Sequence, residues 1–141
     1  MTRLAGILLQ AASRLSAIHE EEAAHRSAPG RWSKKEILGH LIDSASNNHQ
    51  RFVRAQLSPS IESPGYEQDA WVRTQAYQTE PWADLVALWL ALNRHLLHVI
   101  ESIPAVNLDH ECIIAGHAPL KLASLIDDYA NHLEHHLNQV F

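Results

Sequence analysis

The sequence predicts an all-α protein, a four-helix bundle around one hydrophobic core. In four stretches of the chain, apolar side chains recur at three- and four-residue intervals, which is the period of an amphipathic helix. Three of these stretches end at proline or glycine, residues that stop helices. Because 141 residues suit one core, we predict a single domain over residues 1–141.

Composition and charge exclude several classes of protein. Lys and Arg number 11 against 16 Asp and Glu, and the basic residues do not cluster, so we expect no nucleic-acid partner. No apolar run approaches the length that spans a bilayer, and the first residues are more typical of an amphipathic helix than of a signal peptide. We therefore expect a cytoplasmic protein with no membrane partner. The single cysteine, Cys112, cannot form an internal disulfide, and we expect it to be a small core or loop residue.

The first two helices have clear boundaries in the sequence. Predicted helix A spans residues 2 to about 27, because the breaker residues 28–30 follow it. Predicted helix B begins after Ser33, since Glu36 three residues later completes a capping box. It runs to about Leu57, before a proline.

Helix B carries polar residues where a core helix is ordinarily apolar. Ser44 and Asn48 fall within its apolar face, and His40, Asn47 and Arg51 fall along one edge of that face. A helix does not normally bury so many polar groups without partners for them. We therefore expect a polar site along this side of helix B.

The connection between helices B and C, residues 58–79, is long for a compact domain. Loops of this length are usually either functional or disordered. Tyr66 and Trp71 favour order, because a disordered linker rarely carries such aromatics. A short helix is predicted within it, from Glu67 to about Gln75.

Predicted helix C begins near Pro81, with Thr79 as its cap, and ends before Pro104. Asn93 falls in the middle of its apolar face, where we expect a buried amide whose hydrogen bonds are satisfied. Residues 105–121 are irregular or weakly strand-like and could form a small hairpin.

Predicted helix D starts around Ala123, with Ser124 as its cap, and carries three histidines. His132 and His136 lie at the centre of its apolar face, while His135 lies toward the edge. Side chains four residues apart share one helix face, with Cβ atoms about 5–6 Å apart. Burial of two imidazoles costs desolvation and brings no apolar gain, so this pair indicates a site rather than ordinary packing.

Side chains of facing helices build metal sites in bundle cores. Helix D offers His132 and His136, and helix B offers His40. Three protein ligands with room for water are typical of a catalytic rather than a structural metal site. Imidazole suits zinc, copper, iron and nickel, so the ligand type does not identify the metal. The alternative is that the helix D histidines are buried and hydrogen-bonded to neighbouring groups.

The polar neighbours of this set each have two interpretations. Asp43 could orient His40 through a hydrogen bond, or it could lie exposed. Asn47 or Asn48 could line a pocket or tie helix B to a loop. Arg51 could bind an anionic substrate or pair with a carboxylate such as Asp128, and we expect the ion pair.

Three motifs together resemble the DinB/YfiT-like superfamily. Residues Gly39–Phe52 (GHLIDSASNNHQRF) are similar to its His-x-x-Asp-Ser helix. Residues Tyr66–Trp71 (YEQDAW) and Tyr129–His136 (YANHLEHH) resemble a loop and the final helix of its YfiT-like branch. The motifs occur in the same order as in the family, from about Trp32 to the C-terminus, which makes the resemblance fairly specific.

The resemblance implies a four-helix bundle of up-down-down-up order, in which residues 58–79 form the crossover between helices B and C. It implies one divalent metal ion (zinc, nickel, or manganese or iron) with its ligands at His40, His132 and His136. Many members are dimers, so it also suggests a homodimer. The candidates for supporting or substrate-pocket residues are Asp43, Asn47, Arg51, Tyr66, Trp71, Asn93 and His135.

Characterised members include thiol-dependent S-transferases and isomerases, and others are regarded as metal-dependent hydrolases. For a transferase, the metal would favour the thiolate of a low-molecular-weight thiol, which attacks a small electrophile held near residues 58–79. For a hydrolase, it would lower the pKa of bound water toward neutrality. We rank the transferase first because residues 66–71 resemble the YfiT-like loop. In addition, no obvious Glu or Asp is positioned as a dedicated general base, which mildly disfavours hydrolysis. A third hypothesis is a protein that binds a metal or a small ligand without turnover.

Overall fold

A computed structural model describes residues 2–141 of the chain. Over these residues the protein is mostly helical, as predicted, and carries one small three-stranded sheet. The helices are α1 (Arg3–Ser16), α2 (Glu20–Ala24), α3 (Lys34–Gln56), α4 (Gln68–Gln75), α5 (Trp82–Glu101) and α6 (Leu122–Val140), and the strands are β1 (Ser60–Ser63), β2 (Glu111–Ile114) and β3 (Leu120–Lys121).

Four long helices surround one hydrophobic core. Helix α3 packs against α5 and α6, and α1 packs against the same two helices. Each contributes buried side chains to the shared core, among them Leu15, Leu41, Trp89 and Leu133. The core therefore sits where the four predicted apolar faces meet, as amphipathic helices require. The up-down-down-up order of these helices stays a prediction from the resemblance.

Predicted helix A is wrong as one continuous element, because the chain breaks between α1 and α2. The break follows Leu15, whose carbonyl accepts a hydrogen bond from the indole N–H of Trp82 on α5 (2.9 Å). The side chain of Glu20, in the first turn of α2, accepts from the backbone N–H of Trp82 (3.1 Å). The indole of Trp82, 67 residues away along the chain, thus bonds to a carbonyl at the end of α1. The periodicity of the sequence around the break gives no sign of this contact.

The predicted cap of helix B is confirmed, and those of helices C and D are wrong. The Ser33 hydroxyl accepts from the Glu36 N–H (3.2 Å), and the Glu36 carboxylate accepts from the Ser33 N–H (3.1 Å). Thr79 donates instead to a carbonyl within its own turn. Helix α6 begins before Ser124, because β3 leads directly into it and the N–H of Leu122 donates to the His110 carbonyl (2.8 Å).

The small sheet joins two distant parts of the chain. Strands β2 and β3 form the predicted antiparallel hairpin, and β1 pairs in parallel with β2 from Ser60 opposite Glu111 to Ser63 opposite Ile114. Strand β1 lies in the long connection and was not predicted. Helix α4 confirms the short helix predicted there. Cys112 is fully buried in β2 and burial raises the pKa of its thiol, which agrees with the expected core position.

Helix α5 corrects the expectation that no apolar stretch approaches the length that spans a bilayer. It is long and apolar enough to cross a membrane, with a mean hydropathy of 1.2 over an 18-residue window. Of that window 28% is buried, and the buried side includes Leu85 and Leu96 against the core. Packing within the bundle accounts for this part of its apolar surface, while Leu88 is 46% exposed on the other side.

Candidate metal centre

Three imidazoles from two helices converge inside the bundle. His40 comes from α3, and His132 and His136 come from α6. One nitrogen of each ring lies within 4.8 Å of the other two. The Nε2 atoms of His40 and His132 are 3.2 Å apart. Two nitrogens bound to one tetrahedral zinc ion at 2.0–2.1 Å would lie about 3.3 Å apart, so the spacing suits a shared ion.

A hydrogen bond determines the tautomer of His136. Its Nδ1 lies 2.8 Å from Oε1 of Gln139, an oxygen that only accepts. Nδ1 therefore carries the hydrogen, and the Nε2 lone pair is free to bind a metal. His135 is exposed and lies outside the set of three, with its Nε2 3.4 Å from the amide nitrogen of Gln139.

The surroundings of His40 also fit a bound ion. The residue is fully buried and turns its Nε2 toward His132, while its Nδ1 has no hydrogen-bond partner within residues 2–141, so no hydrogen bond fixes the orientation of this ring. The Trp32 ring covers one side of the imidazole, with ring centroids 5.2 Å apart. Two neutral imidazoles whose Nε2 atoms face each other can share only one hydrogen, whereas a divalent cation accepts both lone pairs. The donor set is therefore suited to a metal ion held by three histidines.

Burial keeps two of these imidazoles neutral. Burial first, and the neighbouring imidazoles second, together lower the pKa of both His40 and His132 to about 4. A histidine must be unprotonated to bind a metal. At neutral pH both rings are in that form before any metal arrives.

We expect the metal-free protein to lose stability as the pH falls from 6.5 toward 4. An unfolded histidine takes up a proton near pH 6.5, but folded His40 resists protonation until about pH 4, so acid favours the unfolded chain. His40 alone should cost on the order of 3 kcal/mol by pH 4. Urea unfolding in EDTA, from pH 7.5 to 4.5, measures this loss against a His40→Gln variant. Identical pH dependence in both proteins would contradict the assignment.

Asp43 is neither exposed nor bonded to His40, which corrects both interpretations of this residue. It is 2% exposed, and its Oδ1 accepts from the Tyr77 hydroxyl and from Nε2 of Gln75, each at 2.7 Å. Burial raises the pKa of the Asp43 carboxyl, and these two donors oppose that rise. Asp43 therefore ties α3 to the end of the long connection.

Arg51 and Asn47 also differ from expectation. Arg51 is buried and makes no ion pair with Asp128; it donates to the Ser63 hydroxyl (3.4 Å) and to the Pro64 carbonyl (3.1 Å). Asn47 donates to the backbone carbonyl one turn earlier in its own helix (2.9 Å), whereas Asn48, and not Asn47, lines the cavity beside His132. Arg51, rather than Asn47, is the residue that bonds this part of α3 to the long connection.

A cavity of about 290 Å³ adjoins one side of the three histidines. His132 lines it, together with Arg51, Tyr66 and residues from the start of α6. Trp71 lies outside it, and its ring is tilted against that of Tyr66, with ring centroids 5.1 Å apart. Asn93 lines neither side and is a satisfied buried amide, as predicted: it donates to the Trp89 carbonyl (2.9 Å) and accepts from the Tyr129 hydroxyl.

A second cavity, of about 530 Å³, is lined by none of the three histidines. It comes near the site through Trp32, whose ring lies tilted beside the His40 ring, and through Gln139, which is bonded to His136. Of the two spaces, therefore, the cavity of about 290 Å³ is the one that a histidine of the site lines directly.

Comparison with known proteins identifies the family of this chain. The family model of the DinB superfamily matches residues 8–140. The chain belongs to the DinB superfamily. A protein of Oceanobacillus iheyensis, named as a candidate metal-dependent hydrolase, is 22% identical over 126 residues, 89% of this chain and 72% of its own length.

Two solved structures share the fold of this DinB-superfamily chain. YfiT from Bacillus subtilis, described as a probable metal-dependent hydrolase with an unusual four-helix bundle topology, matches with a TM-score of 0.77 at 18% identity, over 97% of this chain and 81% of YfiT. A mycothiol-dependent maleylpyruvate isomerase matches with a TM-score of 0.76 at 15% identity, again over 97% of this chain. The chain spans 57% of that isomerase.

Sequence reasoning missed several neighbours of the DinB-type site. Gln139 stands three residues after His136 on the same helix, so its position on the helix could have revealed it. Tyr77 and Gln75 reach Asp43 from the long connection, and no local pattern in the sequence connects these segments.

Proposed function

We propose that this protein is a metal-dependent enzyme that transfers a low-molecular-weight thiol to a small electrophile at His40, His132 and His136. The observation that carries the proposal is the convergence of three imidazole nitrogens beside a cavity of about 290 Å³ that His132 lines. A reacting molecule must be held close to the reacting centre, and this cavity offers the space for it. The DinB-superfamily membership and the fold shared with a mycothiol-dependent isomerase support the thiol.

The residues around the site have definable roles in this proposal. His40, His132 and His136 would hold one divalent ion, which supplies Lewis acidity that lowers the pKa of a thiol or water. Gln139 keeps the hydrogen of His136 on Nδ1, and Trp32 shields His40 from water.

Tyr66 is one of the polar side chains that the long connection brings to the smaller cavity, together with Gln68. Burial raises the pKa of its hydroxyl, so the group stays protonated at neutral pH and can donate to a bound substrate. The cavity that His132 lines therefore also contains a hydrogen-bond donor from the long connection.

A metal-dependent hydrolase is the second candidate function. The names of the Oceanobacillus iheyensis protein and of YfiT favour it. Less in its favour is the buried carboxylate of Asp43: its Oδ1 is held by Tyr77 and Gln75, its Oδ2 has no hydrogen-bond partner among residues 2–141, and neither oxygen is bonded to a histidine of the site.

The thiol hypothesis predicts consumption of thiol by the metal-loaded protein. Protein reconstituted with zinc, nickel or manganese should accelerate the disappearance of glutathione, bacillithiol or mycothiol in the presence of a chlorobimane, and His132→Ala protein should not. Free-thiol titration over time measures the rate. If no thiol is consumed but ester or amide bonds are cleaved, the hydrolase is correct. If neither reaction occurs, the protein binds a metal or small ligand without turnover.

We keep the remaining expectations from the sequence as proposals. We propose one domain over residues 1–141 in an up-down-down-up bundle, a cytoplasmic location, and a homodimer. The apolar side chains that α5 leaves outside the core, such as Leu88, form a surface that a second copy could cover. Sedimentation equilibrium tests the dimer, and a purely monomeric protein would refute it.

A further inference from the structure

Arg51 is a buried cation without a carboxylate partner. It is 8% exposed, and the ion pairs found within residues 2–141 do not include it. Its two hydrogen bonds go to neutral acceptors, the Ser63 hydroxyl and the Pro64 carbonyl. Desolvation of a charge costs several kcal/mol unless an opposite charge offsets it. Asp128 lines the same cavity, but it is exposed and makes no ion pair with Arg51.

We propose that Arg51 binds the carboxylate of a small-molecule substrate in the cavity of about 290 Å³ beside His132. This inference rests on the proposed function, because it takes that cavity to be a substrate site. A guanidinium carries five N–H donors in a planar fork that matches the two oxygens of a carboxylate. Two of its nitrogens already hold Ser63 and Pro64, so donors remain for a ligand.

The cavity wall completes an anion site. Ser44 and Tyr66 line it alongside Arg51, and each brings a hydroxyl that can donate to an oxyanion. The hydrogen bonds to the last residue of β1 and to the residue after it fix the guanidinium before any ligand arrives, so binding requires little ordering of this side chain.

The position of Arg51 also orients the ligand. Arg51 and His132 line the same cavity, one on α3 and the other on α6. A molecule whose carboxylate lies on Arg51 therefore extends its remaining atoms toward the three histidines. The substrate class that follows is a small carboxylic acid whose reactive group is separated from its carboxylate by a short chain.

Butyrate and its neutral amide, butyramide, test this inference by isothermal titration or ligand-observed NMR. We expect wild-type protein to bind butyrate at least tenfold more tightly than butyramide, both with zinc and in EDTA. Arg51→Met should abolish the preference, and Arg51→Lys should keep part of it, because lysine keeps the charge but loses the fork. Arg54→Met is the matched control, since Arg54 is an exposed arginine on the same helix, and it should bind as wild type does.

Three results would overturn the inference: equal affinity for the two probes, an equal loss in Arg51→Met and Arg54→Met, or a preference that vanishes in EDTA. The last would mean that the metal, not Arg51, holds the carboxylate. Circular dichroism of each variant verifies that it is folded. Because binding is measured without turnover, a preference carried by Arg51 would stand even if the thiol-transfer assay failed.

Discussion

His132→Ala and His136→Ala proteins should each lose the bound metal, whereas His135→Ala should retain most of it. Wild-type protein equilibrated with zinc and passed over a desalting column should retain about one ion per chain, since three imidazoles suffice for a catalytic-type site. Removal of one ligand leaves two nitrogens. The loss of affinity should exceed the roughly 10–100-fold that removal of a supporting hydrogen bond costs.

The neighbouring residues provide graded controls for this experiment. His135 stands next to His136 in the sequence but is exposed and outside the set of three. Gln139→Ala removes only the partner of His136 Nδ1, so it should weaken zinc binding by about tenfold without abolishing it. Elemental analysis and competition with a zinc-binding dye measure the two effects. Equal metal loss in all three histidine variants would show that the assignment by helix face is wrong.

Gly39→Ala should destabilise the protein by about 3 kcal/mol, which lowers the melting temperature by roughly 10 °C for a chain of this size. A Cβ atom at this position would lie well inside the 3.0 Å that real Cβ atoms keep from the ring of Tyr77. Tyr77 is 4% exposed and donates to the buried carboxylate of Asp43 (2.7 Å). A displaced ring would leave that carboxylate short of a donor, which adds to the cost of overpacking.

Gly6→Ala is the matched control for that variant. Gly6 lies within α1, and a Cβ there meets nothing within 4 Å. Alanine should therefore stabilise the protein by about 0.5–1 kcal/mol through its higher helix propensity. A Gly39→Ala/Tyr77→Ala double variant should be more stable than the sum of the two single effects, because the alanines no longer overlap. Additive effects in urea unfolding would show that the two residues do not touch.

Much of the site could be predicted from the sequence, because helix periodicity records which side faces the core. The burial pattern places Leu133 and Leu137 inside and His135 outside, with His132 and His136 partly buried between them. By the same reasoning His40 lies only along one edge of the apolar face of helix B, and the structure buries it fully in α3. The bond between Ser33 and Glu36 is local, so a three-residue spacing was sufficient to predict it.

What the sequence did not reveal depends on contacts between distant segments. The break after α1 coincides with the indole of Trp82 on Leu15, and Asp43 is held by Tyr77 from the far end of the long connection. Arg51 likewise bonds to the segment around Pro64 instead of the expected carboxylate. Such pairings are decided by the packed fold, and spacing along one helix carries no information about them.

The parallel pairing of β1 and β2 fixes the backbone at the cavity rim without fixing which side chains stand there. Main-chain groups hold the two strands together, with the N–H of Glu111 on the Pro59 carbonyl and that of Ala115 on the Ser63 carbonyl, both at 2.9 Å. Every amino acid except proline supplies those groups. Ile114 at the strand end and His117 in the turn beyond line the cavity and can change without breaking the ladder. The rim can therefore diversify among relatives, and under laboratory selection, while the frame that carries the histidines keeps its form.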